Sequence, residues 1–149
     1  MSVPIIPNEL NQVDFARVRF LFEFQGPCPL DVALFLGLRP HLGRIARQYF
    51  VNGNADGLKR YKALFDPDPG SDPVAVRKFQ KPAPPFVLML SPFSPVTVDA
   101  GEIFPLELLF LGTSIPLIGD FLSVLMQLGR SGLENGMGKF AVVEVSAFG

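Results

Sequence analysis

Ten residues from Phe15 to Phe24 alternate between apolar and mainly polar side chains, and this alternation constrains the fold more than any other feature of the chain. The apolar set, which we expect to be buried, consists of Val18, Phe20, Phe22 and Phe24. Because successive side chains of a strand point to opposite faces, the pattern predicts a strand with one buried face. The chain therefore has to build a sheet that is covered on one side.

A helix is predicted after this strand. Proline is tolerated in the first helical turn, so we expect the helix to begin near Pro40. At 100° per residue, His41 falls at the border of the apolar stripe, whereas Arg44 and Arg47 point away from it. The stripe itself is predicted to consist of Leu38, Leu42, Ile45 and Tyr49. The helix therefore has one apolar and one basic face.

The remaining periodicities predict two more helices and three more strands. They are a short helix Leu58 to Phe65, strands Pro85 to Leu90 and Ile103 to Leu111, a helix over Ile115 to Met126 that stops at Gly129, and a strand Lys139 to Val145. Helices that cross between strands return the chain to one sheet. We predict a single α+β domain over residues 1–149, a ferredoxin-like βαββαβ fold. Its four-stranded antiparallel sheet has the first and third strands in the centre and helices on one face.

Composition excludes several classes of protein. A length of 149 residues suits one domain with its own core. A single cysteine and a single histidine exclude a disulfide framework and a thiolate metal cluster, so we expect no metal and no cofactor. The most apolar region has its longest uncharged run from Leu108 to Gly119, and about 20 residues are needed to span a membrane. We expect a cytoplasmic protein that does not enter the membrane.

The net charge of −1 is distributed unevenly. Between Arg39 and Lys81 lie nine basic and four acidic residues, a balance of +5, and the rest of the chain carries −6. A local basic surface on a nearly neutral chain suits a polyanion bound at one place, although an ordinary solvated surface is the alternative interpretation. The candidate phosphate-binding residues of this segment are Arg39, Arg44, Arg47, Lys59, Arg60 and Lys62.

The most specific stretch begins with Leu111-Gly112 before the predicted last helix and continues with a glycine-rich run after it. That run contains Gly132, Leu133, Gly136, Gly138, Lys139 and Phe140. The stretch resembles the CRISPR-associated endoribonucleases that process precursor CRISPR RNA, in the type-III-like branch of the repeat-associated mysterious protein superfamily. Glu134, Asn135 and Met137 stand where that family has glycine or basic residues. Three further segments are similar to family segments: Leu38 to Arg44, Tyr61 to Pro67, and Pro84 to Leu88.

The resemblance implies metal-independent cleavage of RNA, in which the 2′-hydroxyl attacks the adjacent phosphate. His41 is the only histidine, and its ordinary pKa suits acid–base chemistry near neutral pH. In the first turn of a helix the positive helix end would disfavour its charged form. We therefore consider His41 the candidate catalytic residue, with a structural histidine at the edge of the apolar stripe as the alternative. Lys139 joins the RNA-binding candidates.

Family members carry two ferredoxin-like domains, so the resemblance implies that this chain corresponds to the N-terminal half. The predicted partners are CRISPR RNA, the C-terminal domain of the same protein, and a second copy of the chain. The leading hypothesis is thus an RNA-binding domain of an endoribonuclease that processes precursor CRISPR RNA. The alternative is a noncatalytic protein-interaction module that uses an open sheet or an apolar surface.

Overall fold

The computed structural model describes residues 15–50, 55–66, 85–89, 96–134 and 136–148. The elements in chain order are β1 (Phe15–Phe24), β2 (Cys28–Leu30), α1 (Val32–Leu36), α2 (Leu38–Phe50), α3 (Ala55–Phe65), β3 (Phe86–Leu88), β4 (Val96–Val98), β5 (Ile103–Leu111), a 3₁₀ helix (Gly112–Leu117), α4 (Ile118–Ser131) and β6 (Phe140–Phe148). In these ranges, no helix combines the length and the apolar character needed to cross a membrane.

Four strands form one antiparallel sheet in the order β3-β5-β1-β6. The long pair β1 and β5 is central, with a register that runs from Phe15 opposite Leu111 to Glu23 opposite Ile103. β6 pairs with the other side of β1 through an irregularity at Leu21/Phe22. These observations confirm the predicted ferredoxin-like α+β fold with the first and third predicted strands in the centre.

The two faces of the sheet differ as the alternation in β1 predicts. Val18, Phe20, Phe22 and Phe24 are at most 1% exposed. The intervening side chains of β1 lie on the opposite face, where Arg17 and Arg19 both donate to the carboxylate of Glu107 on β5. We call this opposite side the open face, because the helices lie on the other one.

Phe121 of α4 anchors the helical layer to the buried face. Its ring centroid lies 5.8 Å from that of Phe20, 5.0 Å from that of Phe86 and 5.1 Å from that of Phe110. These three partners belong to β1, β3 and β5, so one side chain contacts three strands. Aromatic pairs of this kind each contribute about 0.5–1.5 kcal/mol beyond the area they bury.

The buried stripe of α2 differs from the prediction. The buried residues are Leu38, Leu42, Ala46 and Phe50, whereas Ile45 is half-buried and Tyr49 is 41% exposed. Both sets follow helical spacing, because Ile45 and Ala46, three and four residues after Leu42, lie on nearly the same side of the helix as Leu42. Alanine is only weakly apolar, so the prediction favoured Ile45 over the smaller residue that packs in the core. Tyr49 is thereby directed outward.

Several element boundaries were also wrong. Cys28–Leu30 and Val96–Val98 pair as a small two-stranded sheet that the periodicities do not predict. A proline such as Pro29 is tolerated there because a two-stranded sheet consists of edges. α2 begins at Leu38 rather than near Pro40, and α3 begins at Ala55 rather than Leu58.

The end of α4 corrects the role assigned to Gly129. The helix continues to Ser131, and Gly132, with a φ of 91°, is the residue that ends it. Gly129 lies inside the helix against β6, where a Cβ atom would come within 2.2 Å of the carbonyl oxygen of Phe140. The missing side chain therefore permits the close approach of α4 to the start of β6. This approach determines where the loop between them lies.

Candidate nucleic-acid interface

An open pocket of about 320 Å³ joins two segments that the sequence presents separately. One segment is the start of α2, which contributes His41 and Arg44, and the other is the loop after α4, which contributes Leu133 and Glu134. Asp31, just before α1, completes the polar lining. We call this the His41 pocket. Both segments belong to the motifs that carry the sequence resemblance.

The loop after α4 is held in place by its own turn and by β2. The backbone N–H of Glu134 donates to the carbonyl of Met137 at 3.1 Å, and the N–H of Met137 donates back at 2.7 Å. Gly138 has a φ of 75°, and a Cβ atom there would lie 2.8 Å from the Sγ atom of Cys28. The glycine-rich run therefore folds tightly against β2 and directs Leu133 and Glu134 toward α2.

The start of α2 is not a free helix end. Asp31 caps α1 by accepting the N–H of Leu34 at 2.7 Å, and only Gly37 separates α1 from α2. The N–H of His41 donates to the carbonyl of Gly37 at 3.3 Å, so this N–H already has a partner. His41 is the fourth residue of α2, so its N–H is not among the unpaired groups that concentrate the positive charge of a helix start.

His41 is nevertheless held toward its neutral form. Burial lowers the pKa of the imidazole below its ordinary value, and the nearby Arg44 charge lowers it further. A hydrogen bond with the backbone of Leu133 acts in the opposite direction. The side chain is half-buried at the pocket wall. The arrangement thus provides an uncharged imidazole beside a guanidinium.

Five of the predicted cations have exposed side chains: Arg44, Arg47, Lys59, Lys62 and Lys139. Within the described ranges, these five take part in no ion pair. Arg44 and Arg47 lie three residues apart on α2, so they are neighbours on one side of that helix. These cations are available to an anion from solvent.

Arg39 and Arg60 are instead engaged within the fold. Arg39 is half-buried, donates to the carbonyl of Phe86 at 2.7 Å, and lies with its guanidinium carbon 4.6 Å from the centroid of that ring. Arg60 bonds to Asp56 and, at 3.2 Å, to Asp120. These contacts attach α2 to β3 and α3 to α4. The pairing of Arg60 could be predicted from the sequence, because Asp56 lies four residues before it and therefore on the same side of the helix. No sequence pattern indicates the contact of Arg39 with Phe86.

Comparison with known proteins assigns the family. The sequence matches the family model AF_1859_N, described as an N-terminal domain, over residues 13–149. The chain belongs to the AF_1859_N family. The description of this family model says nothing about RNA cleavage, so the endoribonuclease assignment stays a prediction. No curated protein matches the sequence.

The fold of this AF_1859_N domain is similar to that of a solved CRISPR protein. The similar chain comes from the crystal structure of a Csm3-Csm4 subcomplex in the type III-A CRISPR-Cas interference complex. The TM-score is 0.50 at 12% sequence identity, and the match covers 89% of this chain and 75% of the other. At 12% sequence identity, this similarity shows a shared fold.

The charges of the His41 pocket in the AF_1859_N domain oppose a bound phosphate at its loop side. Glu134 and Asp31 carry two negative charges there, against the single positive charge of Arg44. Burial and the Glu134 charge also raise the pKa of the Cys28 thiol, which is buried next to the loop. Phosphates are consequently favoured on the outer side of α2, at Arg44 and Arg47, rather than on the glycine-rich loop.

Metal ligands are not grouped in the described part of the AF_1859_N domain. In residues 15–50, 55–66, 85–89, 96–134 and 136–148, no three His, Cys, Asp or Glu side chains come together.

Proposed function

We propose that the chain is the RNA-binding domain of a CRISPR-associated protein. The observation that carries this proposal is the His41 pocket, because the two segments that meet in it are the ones that resemble CRISPR RNA-processing proteins. The shared fold with a chain of the Csm3-Csm4 subcomplex supports the same conclusion. The proposed ligand is CRISPR RNA in single-stranded form.

The RNA backbone follows the exposed side of α2. Arg44 and Arg47 form two-pronged contacts with phosphate oxygens, and Lys59, Lys62 and Lys139 supply further point charges. Because Arg39 is held by the carbonyl of Phe86 and Arg60 by the carboxylate of Asp120, neither belongs to the proposed contact surface. Glu134 repels phosphates from its own part of the glycine-rich run, whereas Lys139 attracts them at the end of that run.

The test is a pair of charge-matched double variants. Arg44→Ala/Arg47→Ala removes two cations from α2, and Arg17→Ala/Arg19→Ala removes two from the open face. Affinity for a single-stranded CRISPR repeat RNA is measured by fluorescence anisotropy over a salt series. Each phosphate contact with a single strand steepens the fall of the logarithm of affinity with the logarithm of salt concentration by about 0.7. We therefore expect this slope to be shallower by about 1.4 in the α2 variant, which loses two contacts. Equal losses in both variants would contradict the proposed surface.

We further propose that His41 acts as a general base in RNA cleavage. The uncharged imidazole takes the proton from a 2′-hydroxyl, that oxygen bonds to the adjacent phosphorus, and the 5′-oxygen leaves. The Arg44 guanidinium stabilises the charge that develops on the phosphate oxygens. A positioned base of this kind contributes about 10²–10⁴-fold.

Cleavage is tested on the natural protein that contains this domain, with end-labelled repeat RNA and a chelator present. We expect His41→Gln to slow cleavage by about 100-fold or more at saturating RNA, with the affinity unchanged. A rate within a few-fold of that of the natural protein would make His41 a structural residue. The base would then lie in the C-terminal domain that we propose as the partner of this one.

A noncatalytic interaction module is the second candidate function. It is favoured by exposed apolar side chains on the open face, including Ile103 at 49%, Val87 at 43% and Met89 at 39%. If this face binds a second copy of the chain, sedimentation detects a dimer that Ile103→Lys converts to a monomer. A monomer that binds RNA with the α2 salt slope would favour the first proposal.

A further inference from the structure

Besides the His41 pocket, a groove lies between α2 and α4, further along α2. Its volume is about 390 Å³, and it is lined by Ile45, Gln48 and Tyr49 of α2 and by Gln127 and Ser131 of α4. We propose that this groove, named the Tyr49 groove, binds one unpaired base of the RNA. The proposal rests on the proposed RNA-binding function and adds a base-recognition site to it.

The polar groups of the Tyr49 groove have no partners inside the fold. In the part of the chain that the structure describes, the side chains of Gln48, Tyr49, Gln127 and Ser131 form no hydrogen bond with another protein group. Two amides and two hydroxyls provide donors and acceptors together. Such a mixed set matches the edge of a base, which also carries both donors and acceptors.

Tyr49 supplies a flat surface of fixed orientation. The ring is 41% exposed, and its centroid lies 4.9 Å from that of Phe50 in an edge-on arrangement. Phe50 is buried in the core, so it restrains the ring that leans on it. An exposed ring held in this way is suited to stacking on a base, as single-stranded RNA-binding proteins commonly do.

The charges around the Tyr49 groove select a neutral ligand with phosphates beside it. All five lining residues are uncharged, in contrast to the His41 pocket with its two carboxylates. Arg47 on α2 and Arg130 on α4 are exposed next to lining residues in the sequence. A volume near 390 Å³ lies within the range of about 300–1,000 Å³ that is typical of small-ligand sites. One base fits this description, with its flanking phosphates on the arginines.

The absence of tryptophan allows a direct spectroscopic test. The chain has two tyrosines, Tyr49 and Tyr61, and the latter packs against Phe65 at a centroid distance of 5.8 Å. In the Tyr61→Phe variant, tyrosine emission comes from Tyr49 alone. We expect saturating single-stranded RNA to quench this emission, and an abasic ribose-phosphate strand of equal length to leave it nearly unchanged. Emission that RNA does not alter would overturn the proposal.

Affinity measurements separate the base site from the backbone contacts. A base stacked on an aromatic ring accounts for about 5- to 150-fold in affinity, so Tyr49→Ala should weaken RNA binding by that factor with an unchanged salt slope. Tyr49→Phe should retain most of the affinity, because it retains the ring. Met126→Ala is the matched control, since Met126 is exposed on α4 but does not line the groove.

The outcomes distinguish the two proposals. If Arg44→Ala/Arg47→Ala weakens RNA binding and Tyr49→Ala does not, the RNA-binding function stands and the Tyr49 groove is refuted as a base site. If Tyr49→Ala and Met126→Ala weaken binding equally, the groove is also refuted. If no variant and no salt concentration affects RNA binding, the proposed function itself fails. Circular dichroism confirms that each variant is folded.

Discussion

Replacing Gly129 by alanine tests the packing that positions the loop of the His41 pocket. Alanine normally stabilises a helix relative to glycine, by about 0.5–1 kcal/mol. Here the new Cβ atom would lie 2.2 Å from the carbonyl oxygen of Phe140 and 3.1 Å from two atoms of its ring. The nearest obstacle is backbone, so α4 and β6 have to separate. Overpacking of this kind costs about 1–3 kcal/mol.

The two effects oppose each other, and the steric one is larger. The overpacking cost at the upper end of its range, about 3 kcal/mol, is reduced by about 1 kcal/mol of gained helix propensity. We therefore expect Gly129→Ala to lower the free energy of unfolding by about 2 kcal/mol. For a chain of this size, that loss lowers the melting temperature by about 4–8 °C. Urea denaturation followed by circular dichroism measures the change, and thermal melts provide a second measurement.

The same helix contains a matched control. Gly119 also lies in α4, and a Cβ atom there would meet nothing within 4 Å. We expect Gly119→Ala to raise the free energy of unfolding by about 0.4–1 kcal/mol. The two substitutions are chemically identical and should therefore have opposite signs. If Gly129→Ala is neutral or stabilising, α4 does not approach β6 as closely as described, and the argument for the position of the loop fails.

Three other perturbations have defined outcomes. Proton NMR of the single histidine should give a pKa for His41 below 6.5, and this pKa should rise in Arg44→Gln. The free energy of unfolding should fall as the pH drops from 6.5 toward the pKa of the folded state, because the unfolded state then binds more protons. His41→Gln should reduce this pH dependence. Phe121→Ala should cost about 3–5 kcal/mol in urea denaturation, with Phe121→Leu costing less. The hydrogen bonds from Arg17 and Arg19 hold the pKa of Glu107 below 4.5. The stability that these bonds contribute to the fold should therefore be lost as acid protonates the Glu107 carboxylate, and the Glu107→Gln variant should not show this acid-dependent loss.

A large part of the fold is predictable because it depends on local periodicity. The alternation in β1 sets the buried side of the sheet, and β5 extends over Ile103–Leu111 as predicted from its sequence. The order of strands and helices leaves only a few possible connections, and the antiparallel arrangement found here is one of them. His41 and the glycine-rich run were both recognised as candidate features, since a lone histidine and a cluster of glycines are visible without a structure.

Tertiary packing decided how those features are used. Helical spacing allowed either Ile45 or Ala46 to face the core. The close packing of α2 selected the alanine and left Tyr49 exposed beside the groove between α2 and α4. Charge counting treated all the cations of the basic segment alike, but Arg39 and Arg60 found partners on other elements. The sequence alone determined which residues alternate, which can turn, and which carry charge, because these are properties of short segments. Which of them meet across the fold depends on distances between segments far apart in the chain, and only the packed structure determines those distances.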